Sequence, residues 1–88
     1  MKNFFVIYSN KTKNPASEEL IKDHVSFLKE IEKKKKLVLY ETLVENDDAL
    51  MIIREVSREK ALDIIYRDPF IQTKYYRNFK LSEFEETI

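Results

Sequence analysis

The sequence contains no cysteine and no glycine, and each absence excludes a class of function. Without cysteine the chain has no disulfide, no thiolate metal ligand and no thiol nucleophile. Without glycine it has neither of the glycine-rich loops that bind the phosphates of mononucleotides and dinucleotides. Turn positions with positive φ must be occupied by other residues, and asparagine and aspartate tolerate that conformation best.

The chain also has no excess charge and no long apolar run. Sixteen Lys and Arg residues balance sixteen Asp and Glu residues, so the formal net charge is zero. Nucleic-acid-binding proteins rely on a basic surface, and we therefore expect no nucleic-acid partner. No stretch approaches the roughly 20 apolar residues of a membrane span, and the N-terminal apolar run is too short for a signal peptide. We expect a cytoplasmic protein with no membrane partner.

The residues that are present suffice for one compact domain. Hydrophobic residues make up 43% of the 88 positions, which is enough for a single core and argues against disorder. A chain of this length is too short for two cores, so we expect a single domain over residues 1–88. It buries only about 60–65% of its unfolded surface, and association would add to its stability.

The apolar pattern predicts four strands and two helices. The predicted strands are residues 4–8, 37–44, 50–56 and 75–84. The first helix is capped by Asn14 or Ser17, with Pro15 suited to its first turn, and the second is capped by Ser57. Pro69 ends the second helix, because the residue before a proline is disfavoured in the α conformation. The residues expected on one face of the last strand are Tyr75, Arg77, Phe79 and Leu81.

The order β-α-β-β-α-β predicts a ferredoxin-like α+β fold, in which both helices cover one face of an antiparallel sheet. The other face then carries Phe, Tyr and Ile side chains without cover. Pairing with a second copy of the chain is the simplest way to bury them, so we expect a homodimer.

His24 is the only histidine, and it lies on the apolar face of the first predicted helix. Histidines in such positions are commonly core residues. Asp68 precedes Pro69, and an aspartate there can simply end a helix and bind local backbone amides. If the fold brings His24 and Asp68 together, the carboxylate fixes the imidazole tautomer and raises the basicity of the second ring nitrogen. Such a base can move protons to and from a substrate.

The strand Phe5-Val6-Ile7-Tyr8, the helix that carries His24 and the run Asp68-Pro69-Phe70 resemble the YCII-related family. The resemblance spans residues 4 to 84. It implies a dimeric α+β barrel of two ferredoxin-like protomers, related in fold to muconolactone isomerase. It also implies an active site centred on His24 and Asp68.

The chain departs from the family pattern in two places. Family members often carry an arginine shortly before the histidine, where this chain has Leu20-Ile21-Lys22-Asp23. They commonly have small residues at the end of the second strand, where this chain has Tyr40-Glu41-Thr42. Two functions therefore remain open. One is a cofactor-independent lyase- or isomerase-type enzyme with His24 as general acid and base and Asp68 as its orienting partner. The other is a non-catalytic dimeric binding or structural module with a degenerate site.

Further candidates for contact with a small organic ligand are Tyr8, Tyr40, Tyr75, Tyr76 and Glu41. The tyrosines could line an amphipathic pocket and donate hydrogen bonds, and Glu41 could titrate beside the pocket if it points inward. Each is otherwise an ordinary strand or interface residue, with Glu41 facing solvent. One histidine and no cysteine give no metal-ligand spacing, so we expect no metal and no cofactor.

Overall fold

The computed structural model describes residues 1–87, which form one sheet and three helices. The elements are β1 (Lys2–Lys11), α1 (Glu18–Lys33), β2 (Leu37–Thr42), β3 (Ala49–Glu55), α2 (Arg58–Arg67), α3 (Pro69–Gln72) and β4 (Tyr76–Phe84). The strands pair antiparallel in the order β2-β3-β1-β4. This is the ferredoxin-like α+β arrangement predicted from the sequence, with α3 as an additional short helix.

Both long helices begin at serine caps. The Ser17 hydroxyl accepts a hydrogen bond from the Leu20 amide at 3.1 Å, and the Ser57 hydroxyl accepts one from the Lys60 amide at 3.2 Å. Ser17 rather than Asn14 is therefore the first cap, and Pro15 lies before the helix. The longest helix, α1, has 16 residues, and no helix in the described part of the chain is long and apolar enough to cross a membrane.

The absence of glycine is accommodated at the end of α1 by a lysine. Lys35 has φ 61°, and its amide and that of Lys36 donate to the carbonyls of Glu32 and Ile31, both at 2.9 Å. This is the helix-ending hydrogen-bond pattern that normally carries glycine in the left-handed position. Positive φ is also found at Asn10, Asp47 and Lys74. Asparagine and aspartate were expected at such positions, whereas the two lysines were not.

The core lies between the helices and one face of the sheet. Alternate residues of a strand point to opposite faces, and the residues that face the helices are fully buried. From β1 and β3 they are Phe4, Val6, Tyr8, Ala49, Met51 and Ile53. The helices contribute Phe27, Ile31, Ala61, Ile64 and Ile65. The opposite face of the sheet has no helix over it within residues 1–87 and carries Phe5, Ile7, Leu50 and Ile52.

Helix α2 ends at Arg67 as predicted, because Asp68, the residue before Pro69, is extended with φ −68° and ψ 122°. The short helix α3 that starts at Pro69 was not predicted, although proline fits the first turn of a helix. At the start of β4, Tyr76 is buried and Arg77 is exposed, where the reverse was expected. The alternation breaks beside Asn10, whose φ of 58° departs from extended geometry. Further along, Leu81 is buried as predicted.

Candidate functional site

Helix α1 and the α2–α3 junction bring His24 and Asp68 together. His24 Nδ1 lies 3.0 Å from Asp68 Oδ1, across 44 positions of sequence. Both side chains are buried, with relative exposures of 5% for His24 and 0% for Asp68. A carboxylate oxygen accepts hydrogen bonds, so Nδ1 carries a proton and donates it. Nε2 is then the ring nitrogen that remains available.

The same carboxylate oxygen of Asp68 anchors helix α3. Oδ1 accepts a second hydrogen bond, from the backbone amide of Phe70 at 2.9 Å. Asp68 is thus the N-cap of α3 and the partner of His24 at once. The local role and the long-range role that the sequence left as alternatives occur together, because a capped helix start is a rigid mount for a carboxylate.

Aromatic rings enclose His24. Phe70 stacks on the imidazole with 3.8 Å between ring centroids and 9° between planes, and Tyr40 meets it edge-on at 4.8 Å. Phe27 lies further away, with its centroid at 6.3 Å. Nε2 of His24 is buried and has no hydrogen-bond partner among residues 1–87. The nitrogen suited to chemistry is therefore present but closed off in this conformation.

Two tyrosines place neutral hydroxyl groups near Asp68. Burial raises the pKa of Tyr8 and of Tyr40 well above 10, and the negative charge of Asp68 raises both further. Both hydroxyls therefore keep their protons near neutral pH. The Tyr8 hydroxyl and Asp68 Oδ2 each lack a hydrogen bond of acceptable geometry within the described chain. Together with Nε2 they are the buried side-chain polar atoms within residues 1–87 that lack partners, and such atoms are unusual in a folded protein.

A cleft of about 360 Å³ lies on the outer side of this aromatic enclosure. Its lining includes Lys11, Tyr40, Thr42, Phe70, Tyr75 and Tyr76. Its volume is within the range, about 300–1,000 Å³, that small-molecule sites occupy. Tyr40 and Phe70 face the cleft and also contact His24, which does not itself line the cleft. These two rings therefore lie between His24 and the cleft.

Of the residues predicted for the site, all but Glu41 are gathered around His24 or the cleft. Tyr8 and Tyr40 are close to Asp68, and Tyr75 lines the cleft and packs against Phe70 with centroids 4.7 Å apart. Glu41 is exposed and pairs opposite Leu50, on the face of the sheet that points away from the helices. Its neighbour Tyr40 faces the helices, so the alternation of the strand sends Glu41 the other way.

Phe70 and Lys11 are among the cleft residues that were not predicted. Phe70 could have been found from its position directly after Asp68-Pro69, since a residue at the start of a helix capped by Asp68 must lie near His24. Lys11 lies 13 positions before His24 in the sequence and carries no local signal of its role. Among residues 1–87, no three His, Asp or Glu side chains are grouped closely enough to hold a metal ion.

Comparison with known proteins agrees with this fold. A YCII-related domain matches residues 1–85. The chain belongs to the YCII-related family. The match confirms the resemblance that the strand Phe5–Tyr8 and the His24 and Asp68 motifs predicted. No curated protein sequence matches the chain.

Among solved structures, the YCII-related chain is similar to the 5-chloro-2-hydroxyhydroquinone dehydrochlorinase (TftG) of Burkholderia phenoliruptrix in complex with 2,5-dihydroxybenzoquinone. The TM-score is 0.68 at 15% sequence identity, and the similarity covers 96% of this chain and 95% of that chain. At such low identity the likeness establishes a shared fold.

Proposed function

We propose that this YCII-related protein is a cofactor-independent enzyme of lyase or isomerase type, in which His24 transfers protons to and from a small organic substrate. The observation that carries this proposal is the buried hydrogen bond of 3.0 Å between His24 Nδ1 and Asp68 Oδ1, which leaves Nε2 unpaired. The dehydrochlorinase of similar fold is an enzyme that acts on a small ring compound, which supports the same class of function here.

In the proposed reaction Nε2 takes a proton from a substrate carbon next to a carbonyl group. The resulting imidazolium keeps its Nδ1 proton donated to Asp68, whose negative charge stabilises the positive ring. Return of the proton to another substrate atom completes an isomerisation. In an elimination the electron pair left on carbon expels the leaving group instead, and Nε2 releases its proton to solvent. The neutral hydroxyl of Tyr40, at the cleft, can donate to a developing enolate oxygen.

The enclosure of His24 favours a second candidate function, a non-catalytic dimeric binding or structural module. Nε2 is buried, and His24 does not line the cleft. The enzyme requires the ring of Phe70 or Tyr40 to move before a substrate reaches Nε2, whereas a binding module can use the cleft as it stands. This difference makes catalysis itself the decisive test.

The functional unit in this proposal is a cytoplasmic homodimer. On the sheet face that points away from the helices, Phe5, Ile7, Leu50, Ile52 and Phe84 line an apolar depression of about 430 Å³. Apolar patches of this kind mark interaction surfaces, and a second copy of the same sheet face is a complementary cover. Fractionation of cells that produce the protein tests its location.

Exchange of a carbon-bound proton tests the enzyme function. The probe is 2,5-dihydroxybenzoquinone, and loss of its ring-proton NMR signal in D2O measures exchange through the keto tautomer. We expect the wild-type protein to accelerate exchange and His24→Gln to lose about 100-fold or more of that acceleration. Asp68→Asn should also lose rate, while the exposed Asp63→Asn on α2 serves as a matched control and should keep it.

The outcomes separate the two candidate functions. Acceleration that depends on His24 and Asp68 supports the enzyme. If the wild-type protein and His24→Gln give the same exchange rate, and the wild-type protein also does not convert 5-chloro-2-hydroxyhydroquinone, the results favour the non-catalytic binding module.

A further inference from the structure

Lys11 places a positive charge at the cleft that borders His24. Its Nζ lies 5.5 Å from the centroid of the Tyr75 ring, and both residues line the cleft. A cation over an aromatic face is held there by the ring's electrons. Lys11 is half-buried at the end of β1, so its main chain is fixed by the sheet. The ammonium thus lies beside the Tyr75 ring at the wall of the cleft.

This lysine is also left without a carboxylate. The ion pairs of lysines within the described residues join Lys2 to Glu83, Lys34 to Glu30 and Lys36 to Glu55, and none involves Lys11. The other charged residue in the cleft lining is Asp47, which is exposed in the β2–β3 turn and whose backbone carbonyl accepts the Tyr76 hydroxyl at 3.0 Å. Lys11 is therefore free to pair with an anion that enters the cleft.

A series of aromatic contacts connects Lys11 with the candidate base. Lys11 lies over Tyr75, Tyr75 packs against Phe70 at 4.7 Å, and Phe70 stacks on His24 at 3.8 Å. Flat rings pack well against such a wall. A planar ligand that packs against Tyr75 and Phe70 can therefore contact the Lys11 ammonium at its Tyr75 end, while its other end lies on Phe70, the ring that covers His24.

We propose that Lys11 determines the substrate class of this cleft, by binding the anionic group of a flat aromatic or conjugated ligand whose ring lies against Tyr75 and Phe70. This inference rests on the proposed function, because it takes the cleft beside His24 to be the substrate site. It concerns the binding of the ligand and not the transfer of a proton. The Tyr75 ring beside the ammonium excludes water from one side, which strengthens its attraction for an anion relative to a lysine in open solvent.

A matched pair of ligands and a matched pair of variants test this role. The ligands are 4-hydroxybenzoate and 4-hydroxybenzamide, which share a shape and differ in charge. The variants are Lys11→Met and Lys13→Met, which remove the same charge from neighbouring positions, Lys13 being exposed in the following loop. The single histidine gives an unambiguous NMR reporter, because its ring signals shift when a ligand occupies the adjacent cleft.

We expect the wild-type protein to bind the benzoate at least about fivefold more tightly than the amide, the ratio that about 1 kcal/mol provides. Lys11→Met should abolish this ratio and Lys13→Met should keep it, with circular dichroism confirming that both variants are folded. Equal binding of the two ligands, or a ratio that survives in Lys11→Met, would overturn the proposal. Tighter binding of 4-hydroxybenzylamine than of 4-hydroxybenzoate would also overturn it, because a preferred cationic ligand would assign recognition to Asp47. The absence of binding of any of these ligands at millimolar concentration would overturn it as well.

These results are distinguishable from those of the exchange experiment. Charge-dependent binding through Lys11 without His24-dependent exchange retains the present inference and rejects the enzyme. Exchange that depends on His24, together with binding that is indifferent to Lys11, retains the enzyme and rejects the inference.

Discussion

Phe70 lies flat against the imidazole of His24, with ring centroids 3.8 Å apart and planes within 9° of parallel. The backbone amide of the same phenylalanine donates to Asp68 Oδ1, the atom that binds His24 Nδ1. Asp68 therefore fixes both the orientation of the imidazole and the position of the ring that covers it. The hydrogen bond to His24 and the ring that covers it are therefore both held at the start of α3.

Removal of the Phe70 ring is expected to expose His24. In Phe70→Ala the stacked face of the imidazole opens to the cleft, so carbethoxylation of His24 by diethyl pyrocarbonate should become about tenfold faster or more. Mass spectrometry of the peptide that contains His24 measures the rate. Phe79→Ala is the control, because Phe79 is also half-buried but packs on Tyr66, at 5.7 Å between centroids. An equal acceleration in both variants would mean that general loosening, and not Phe70, governs access.

The hydroxyl group of Tyr8 is expected to destabilise the folded protein, whereas that of its neighbour Tyr76 is expected to stabilise it. The Tyr8 hydroxyl is buried near the Asp68 carboxylate but makes no hydrogen bond of acceptable geometry in the described chain, whereas that of Tyr76 donates to the Asp47 carbonyl at 3.0 Å. Urea unfolding at one protein concentration should show Tyr8→Phe to be as stable as the wild type or about 1 kcal/mol more stable. Tyr76→Phe should lose about 1 kcal/mol. A clear loss in Tyr8→Phe would reveal a hydrogen bond from Tyr8 to Asp68.

Local patterns in the sequence predict most of the elements and single out His24 and Asp68 as candidate residues. The serine caps and the order of strands and helices follow from patterns among neighbouring residues, and they were confirmed. The contact between His24 and Asp68 spans 44 positions, and it was anticipated through the resemblance to a family and not through spacing.

What the sequence could not predict depends on tertiary context. Lys11 lies at the cleft because β1 continues to that residue, beyond the apolar run that ended the predicted strand at Tyr8. Burial of Tyr76 in place of Arg77 accompanies the left-handed backbone at Asn10 in the neighbouring strand. The enclosure of His24 requires Phe70, and hence α3, whose four residues are too few for a periodic signal.

Glu55 is expected to make stability depend on pH in the acid range. Burial acts to raise its pKa, but hydrogen bonds from Lys36 Nζ at 2.6 Å and from the Val56 amide at 2.8 Å outweigh burial and bring the pKa below its usual 4.5. As the pH falls, the unfolded chain therefore takes up this proton before the folded protein does. The stabilisation by Glu55 is complete above about pH 4.5 and is lost as the pH falls through the lower, folded value.

Urea unfolding from pH 7 to pH 3 checks this dependence. Glu55→Gln should be about 2 kcal/mol less stable than the wild type at pH 7, and the difference should shrink towards pH 3. Glu59→Gln is the control, since Glu59 is exposed and forms no ion pair within residues 1–87. If the difference in unfolding free energy between Glu55→Gln and the wild type stays constant from pH 7 to pH 3, the charge of Glu55 does not contribute to stability.

A charge placed on the open face of the sheet is expected to abolish dimerisation. Ile7 lies on the central strand β1 opposite Leu50, next to the pair Phe5 and Ile52, so it is at the middle of the apolar depression. A lysine there would have to be buried unpaired against a second copy, which costs several kcal/mol. Sedimentation velocity should give a dimer for the wild type and a monomer for Ile7→Lys. Val25→Lys introduces the same charge at a position on α1 that is 40% exposed, and it should remain dimeric. A wild-type protein that sediments as a monomer at every concentration would show that this face is not closed by a second copy.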